Sequence, residues 1–188
     1  MLTYIRPALA VLACMTVLTG VVYPLSVTAV AQLAFPEQAN GSLVQDSSGV
    51  VRGSQLLAQR FDAPRWFHAR PSAGDYATVA SSASNLAASN PALVQRIAKE
   101  AALLKGDNAA PVPMQLVTTS GSGLDPHISA EAAQFQIQRI AAARDMPIGA
   151  LEKLITEHVQ RPLIGPPVVN VLALNLVLAD NPSISRSE

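Results

Sequence analysis

The densest concentration of reactive side chains lies at residues 116–129, where Thr118, Thr119, Ser120, Ser122, Asp125 and His127 crowd around Gly121 and Gly123. The two glycines permit positive φ and close backbone approach, and Pro126 stiffens the exit. Three kinds of chemistry could use this set. Ser120 or Ser122 could be a nucleophile if a histidine held by Asp125 took its proton. Asp125 and His127 could supply two metal ligands, but no third stands at a useful spacing. Hydroxyls, carbonyls and one carboxylate could hold K⁺ weakly, because hard cations favour oxygen ligands. A turn whose side chains bond their own backbone would need none of these. The nucleophile elbow requires Gly two residues on either side of the Ser; Ser122 has Ser120 and Leu124 there, so that pattern fails.

A second run, residues 65–72, sets the only tryptophan beside cations: Arg65, Trp66, Phe67, His68 and Arg70. Trp and Arg are common anchors of protein interfaces, which makes this a candidate docking surface. The same residues would serve equally if Trp66 and Phe67 plugged the domain's own core. His68, His127 and His158 are too far apart in sequence to argue a shared site. No Gly-x4-Gly-Lys-Ser/Thr pattern occurs, so autonomous nucleotide hydrolysis is not expected.

The elements that must position these groups begin with a greasy segment. Between Arg6 and Glu37 the chain carries no charged side chain, and the run from 7 to 35 exceeds the ~20 residues that cross a bilayer as a helix. Arg6 is the only nearby cation, which by the positive-inside rule puts residues 1–6 in the cytoplasm and residues 36–188 on the extracytoplasmic side. Ala29-Val30-Ala31 has the small-x-small form of a signal-peptidase site, but the uncharged run is far longer than the ~7–15 residues of a typical signal core, so a retained anchor is expected. Pro24 removes one backbone donor inside the run, and Ser26 and Thr28 are placed to compensate.

Beyond the anchor, twelve basic side chains face thirteen acidic ones. That balance is not built to neutralise phosphates, and no nucleic-acid partner is expected. The only cysteine, Cys14, lies in the anchor, which leaves the outer domain without a disulfide or a cysteine metal site. The patterning predicts a hairpin around 43–44 and 50–51, a short helix over 54–61 with Leu56, Leu57 and Phe61 on one face, and a long loop over 62–89. A helix capped by Asn90-Pro91 should run to Gly106, followed by a strand at 114–117. Ser129 should cap a second helix with Ile137, Ile140 and Ala141 buried. Pro147 should start a third, striped by Ile148, Leu151, Leu154, Ile155 and Val159. Residues 168–169 read as a strand, 171–178 as a buried helix or strand that periodicity cannot separate, and the tail from 181 as frayed. The class is α+β: one N-terminal membrane helix, then one domain with a small sheet and several helices.

Taken together, these runs resemble the C subunit of the bacterial Kdp-type potassium-transporting ATPase. The matching pieces are the anchor with Tyr23-Pro24, residues 53–61, 67–72, 84–86, 117–129 and 169–175, in family order along the whole chain. Ser-Gly-Leu-Asp-Pro-His-Ile-Ser at 122–129 is the specific one. Two positions depart from the family pattern: Ala83 stands where Gly is usual before Ser84-Asn85, and Gln115 stands where Asp is usual. Ala83 weakens the likeness of that loop to nucleotide-binding signatures, and Gln115 removes a carboxylate from any cation or acid/base role.

The resemblance implies a non-catalytic subunit of an ATP-driven potassium importer in the cell inner membrane. It implies two companions, a K⁺-conducting subunit and an ATP-hydrolysing P-type subunit. ATP and K⁺ are then handled by the complex and no cofactor is bound by this chain alone. It further implies assembly and stabilisation of the pump and a raised apparent ATP affinity of the hydrolysing subunit. Two other readings of the residues stay open: an exported Ser/His hydrolase cleaved after Ala31, and an extracellular module that binds a small ligand in the Ser/Gly turn.

Overall fold

The computed structural model describes residues 2–106, 108 and 110–180. It falls into two compact units, one ending at Leu43 and one beginning at Val44. In the first, α1 (Leu2–Val17), a π-helical turn (Leu18–Val22) and α2 (Tyr23–Ala34) run on as a single apolar helix, of which Thr3–Ala34 is long and apolar enough to cross a membrane. At ~1.5 Å per residue its 32 residues reach about 48 Å. The widened turn directly precedes Pro24, which has no N–H to donate and whose ring crowds the turn before it; the Tyr23 N–H bonds back to the Leu18 carbonyl instead. Ser26 donates to the Val22 carbonyl at 2.7 Å and Thr19 to that of Met15 at 2.7 Å. Thr28, the other hydroxyl expected to help, makes no such bond. A four-residue turn of helix, α3 (Pro36–Ala39), follows.

The second unit opens with the expected hairpin, β1 (Leu43–Gln45) and β2 (Val51–Ser54). Asp46 closes it by accepting from Ser48 and Val50 while pairing with Arg52. These bonds, the Ser48 hydroxyl first, hold the Asp46 carboxyl well below the usual range. The helix expected over 54–61 does not form. The Ser54 hydroxyl accepts the Leu56 N–H, Gln59 donates to the Arg52 carbonyl, and the Ala58 N–H bonds the Leu124 carbonyl, so local side-chain bonds and one distant carbonyl stand in place of a helical ladder.

The central sheet has three short antiparallel strands in the order β3 (His127–Ser129), β5 (Val168–Asn170), β4 (Val159–Gln160), with Ile128 opposite Val169 and Val159 opposite Val169 on the other side. Val159 therefore ends the third helix as a strand residue, not as part of its stripe. The helices around this sheet are α5 (Ala130–Phe135), α6 (Ile137–Arg144), α7 (Ile148–His158) and α8 (Val171–Asp180). Ile128, Ile140, Leu151, Ile155, Val169 and Leu174 form the buried centre with Phe67. Ile148, expected in the apolar stripe of α7, is instead half exposed.

Three further expectations are settled by packing. Ser129 caps α5 through the Ala132 N–H, but the second helix breaks at Gln136 into α5 and α6. Residues 114–117 form a 3₁₀ turn (Met114–Leu116), not a strand: Leu116 and Val117 are both buried, whereas neighbours on a strand would point to opposite faces. The terminal apolar run is helical because Val171, Leu174 and Leu178 recur on one buried face. The helix α4 (Pro91–Lys105) starts as expected, with Asn90 accepting from the Ala92 N–H, and carries no fully buried residue. The expected frayed tail lies outside the described residues.

Candidate functional site

The loop at 63–72 has no regular hydrogen-bond ladder of its own, so side chains from three helical segments supply one. The Asn175 amide of α8 receives the Phe67 N–H at 2.9 Å and donates to the Phe67 carbonyl at 2.9 Å. Gln136, at the break between α5 and α6, does the same for His68 at 2.8 and 3.1 Å. Both amides are almost fully buried. Arg139 donates to the Pro64 and Trp66 carbonyls, and Arg144 to those of Arg65 and Leu178. The helix break thus coincides with the residue whose side chain binds the loop.

Packing separates the members of residues 65–68. Phe67 is a core plug with no exposed surface. Trp66 is half-buried beside Phe61, with the Arg144 guanidinium 4.4 Å and the Arg65 guanidinium 5.4 Å from its ring centre, distances at which a cation is attracted to the ring face. Arg65 itself is exposed. His68 is half-buried, its Nε2 3.2 Å from the Ala63 carbonyl. Burial first, and then the Arg139 charge, push the His68 imidazole below its ordinary pKa. Because the unfolded chain then binds that proton more tightly, this stability contribution is complete above the ordinary value of about 6.5 and falls as pH drops below it. The native chain should accordingly lose more of its urea midpoint between pH 7.5 and 5.5 than His68→Gln does; equal losses would show that His68 contributes nothing to acid sensitivity.

Arg70 joins this loop to the Ser/Gly turn. Its guanidinium lies 3.3 Å from an Asp125 carboxylate oxygen and 3.2 Å from the Thr119 carbonyl, while the Ser120 N–H bonds the Pro71 carbonyl at 3.2 Å. The other Asp125 oxygen receives the His127 N–H at 3.0 Å and sits 3.6 Å from His127 Nδ1. Ser120 is buried, whereas Ser122 is exposed and its hydroxyl accepts from the Leu124 N–H. Neither Ser120 nor Ser122 is hydrogen-bonded to a histidine, and no cluster of three His, Cys, Asp or Glu that could hold a metal occurs among the described residues. The geometry is that of a self-bonded turn held rigidly against a second loop. Over it lies a shallow depression of about 520 Å³ lined by Ser81, Ser122, Asp125, His127 and the side chains of Leu56 and Leu57.

Gly123 shows how tightly the pieces meet. Its φ is +69°, and a Cβ there would stand 2.8 Å from the Ser82 carbonyl oxygen and 3.2 Å from the Ser72 hydroxyl. Ser81 also donates to the Ser122 carbonyl at 3.0 Å. Three irregular segments, 70–72, 81–82 and 119–125, therefore converge on one point. Sequence reasoning missed a neighbouring cleft of about 290 Å³, where His68 meets Tyr76 and Glu100 among Phe61, Leu104 and Leu116. Burial raises both the Tyr76 and the Glu100 pKa. No local signal marks those two residues, because each stands alone in its own segment.

A family model described as K⁺-transporting ATPase, c chain, matches residues 5–180. The chain belongs to that family. The potassium-transporting ATPase KdpC subunit of Pseudomonas aeruginosa is 60% identical over 179 residues, covering 95% of this chain and 98% of the relative. That of Pseudomonas putida is 63% identical over 172 residues, 92% of this chain and 94% of the relative. That of Pseudomonas syringae pathovar tomato is 57% identical over 187 residues, 100% and 98% respectively. As a c chain the protein is a membrane-associated accessory subunit of the transport ATPase, not its catalytic one. The two departures from the family pattern have visible places in this c chain. The Gln115 amide oxygen receives the Ser129 N–H at 2.6 Å, a neutral tie between the 3₁₀ turn and the end of β3. Ala83 follows the pair Ser81-Ser82 that packs on the Ser/Gly turn.

Proposed function

We propose that this c chain is held by its long N-terminal apolar helix with the N-terminus in the cytoplasm, and that its outer domain docks on the external mouth of the K⁺-conducting companion. The docking face is built from the exposed parts of the 65–72 loop and the 118–127 turn. The observation that carries this reading is the Arg70 bridge to Asp125 and Thr119, which makes two distant stretches of sequence one continuous rigid surface. Arg65, Arg70, Ser122, Asp125 and His127 then meet the partner or frame the ion's path. Phe67, His68 and Ser120 position them from beneath. A near-neutral domain does little to concentrate K⁺ by charge, so the contribution is one of shape and state.

The chain raises the apparent ATP affinity of the hydrolysing companion indirectly. A domain outside the membrane does not meet cytoplasmic nucleotide, because a charged nucleotide does not cross hydrocarbon. Binding one conformation of the pump better than another shifts the pump toward that conformation, and ATP affinity follows by linkage. Removing the outer domain while keeping the anchor helix should lower K⁺-stimulated ATPase activity or the yield of assembled complex. Unchanged assembly and unchanged activity would end this reading. Protection of the domain from protease added outside intact spheroplasts would reverse the orientation.

A further inference from the structure

The segment joining β4 to β5 reads Arg-Pro-Leu-Ile-Gly-Pro-Pro at 161–167. Leu163 and Ile164 at its tip are 101% and 90% exposed, a rare state for two adjacent aliphatic side chains in a folded domain. The tip is firmly mounted. It leads into the central strand β5, where Val169 and Asn170 are buried and the Asn170 amide donates to the Gln55 carbonyl at 2.9 Å. Pro162, Pro166 and Pro167 restrict the loop's own conformations, so little freedom remains to be lost when it is gripped.

We propose that this tip is a docking wedge that inserts into an apolar recess with an acidic rim on a companion subunit of the transport ATPase. Three observations select that occupant. The chain is a subunit of a multi-chain pump, so a companion surface exists to cover what the isolated domain leaves exposed. Arg161, at the base of the wedge, is exposed and makes no ion pair among the described residues, so its charge is free to meet a negative group opposite. The loop has no Trp or Tyr, the residues that anchor proteins at a lipid interface. A second copy of this chain fits poorly, since tip-to-tip pairing about a two-fold axis would bring each Arg161 toward its own copy. This inference rests on the reading that the domain docks within the complex, but it assigns a different surface from the Arg70 face.

The test is site-specific photocrosslinking in the full complex, co-expressed and extracted in mild detergent with its native lipid. Benzoylphenylalanine is placed at 163, and at Leu103 of α4, also exposed, as control. A covalent adduct between position 163 and a companion subunit, absent at 103, is the expected result. The double variant Leu163→Ser, Ile164→Ser should retain about ten-fold less companion at an equal level of folded chain, and Arg161→Glu should also weaken retention. An adduct to lipid, an adduct to a second copy, or no adduct while companions still co-purify would overturn the wedge and leave the docking reading intact. Failure of companions to co-purify with the native chain would overturn both.

Discussion

Replacing Asn175 by leucine should destabilise the outer domain by about 2–6 kcal/mol, although the two side chains are similar in size. The Asn175 amide is 2% exposed and is the partner of both the N–H and the carbonyl of Phe67, whose side chain fills the core. Leucine keeps the volume and removes both partners, and each buried group left unpaired costs about 1–3 kcal/mol. Asn175→Asp should not rescue the loss: a carboxylate accepts the Phe67 N–H but cannot donate to its carbonyl, and it buries a charge. Trp66, the only tryptophan, is the neighbour of Phe67 and reports the transition by fluorescence during urea unfolding of the detergent-solubilised chain. A change below about 1 kcal/mol for Asn175→Leu would mean that water replaces the amide and the clamp is dispensable.

Gly123→Val should destabilise the domain by about 2–4 kcal/mol, through backbone conformation and close approach together. A β-branched residue strongly disfavours the φ of +69° found here, and its Cβ would meet the Ser82 carbonyl oxygen, a backbone atom that cannot swing aside. Relief requires residues 81–82 to move off the Ser/Gly turn, so the variant should also lower K⁺-stimulated ATPase activity of the assembled pump. Gly121 supplies the control. Nothing lies within 4 Å of a Cβ built there and its φ is not positive, so Gly121→Ala should leave stability within about 0.5 kcal/mol of native. If the two variants behaved alike, the convergence of three segments on Gly123 would not be what holds the turn.

These contacts show where sequence reasoning reached and where it stopped. The caps at Asn90 and Ser129 were legible because a cap is a local bond, formed within two or three residues of the capping side chain. The hairpin at 43–54 was legible because turn residues bracket two short apolar pieces, and the stripe of Leu151, Leu154 and Ile155 because it repeats with the helical period. The helix expected over 54–61 and the strand expected over 114–117 failed for different reasons: the Leu124 carbonyl takes the Ala58 N–H in the first, whereas the second closes on local bonds from Leu116 to Pro113 and from Val117 to Met114 with both side chains buried. The bonds of Gln136 to His68 were invisible because the partner stands 68 positions away.

The amino-acid order alone determined the long uncharged helix, the α+β class and the family, because hydrophobic length, local capping and a specific eight-residue motif are all properties of neighbours along the chain. Only the tertiary structure decided that the 65–72 loop and the 118–127 turn are one surface, that Phe67 is core while Arg65 is exposed, and that Leu163 and Ile164 point into open space. The physical reason is that those outcomes depend on which distant group satisfies a buried N–H, carbonyl or guanidinium. Arg70, Asn175 and Gln136 each answer that question across 49 to 108 positions of sequence.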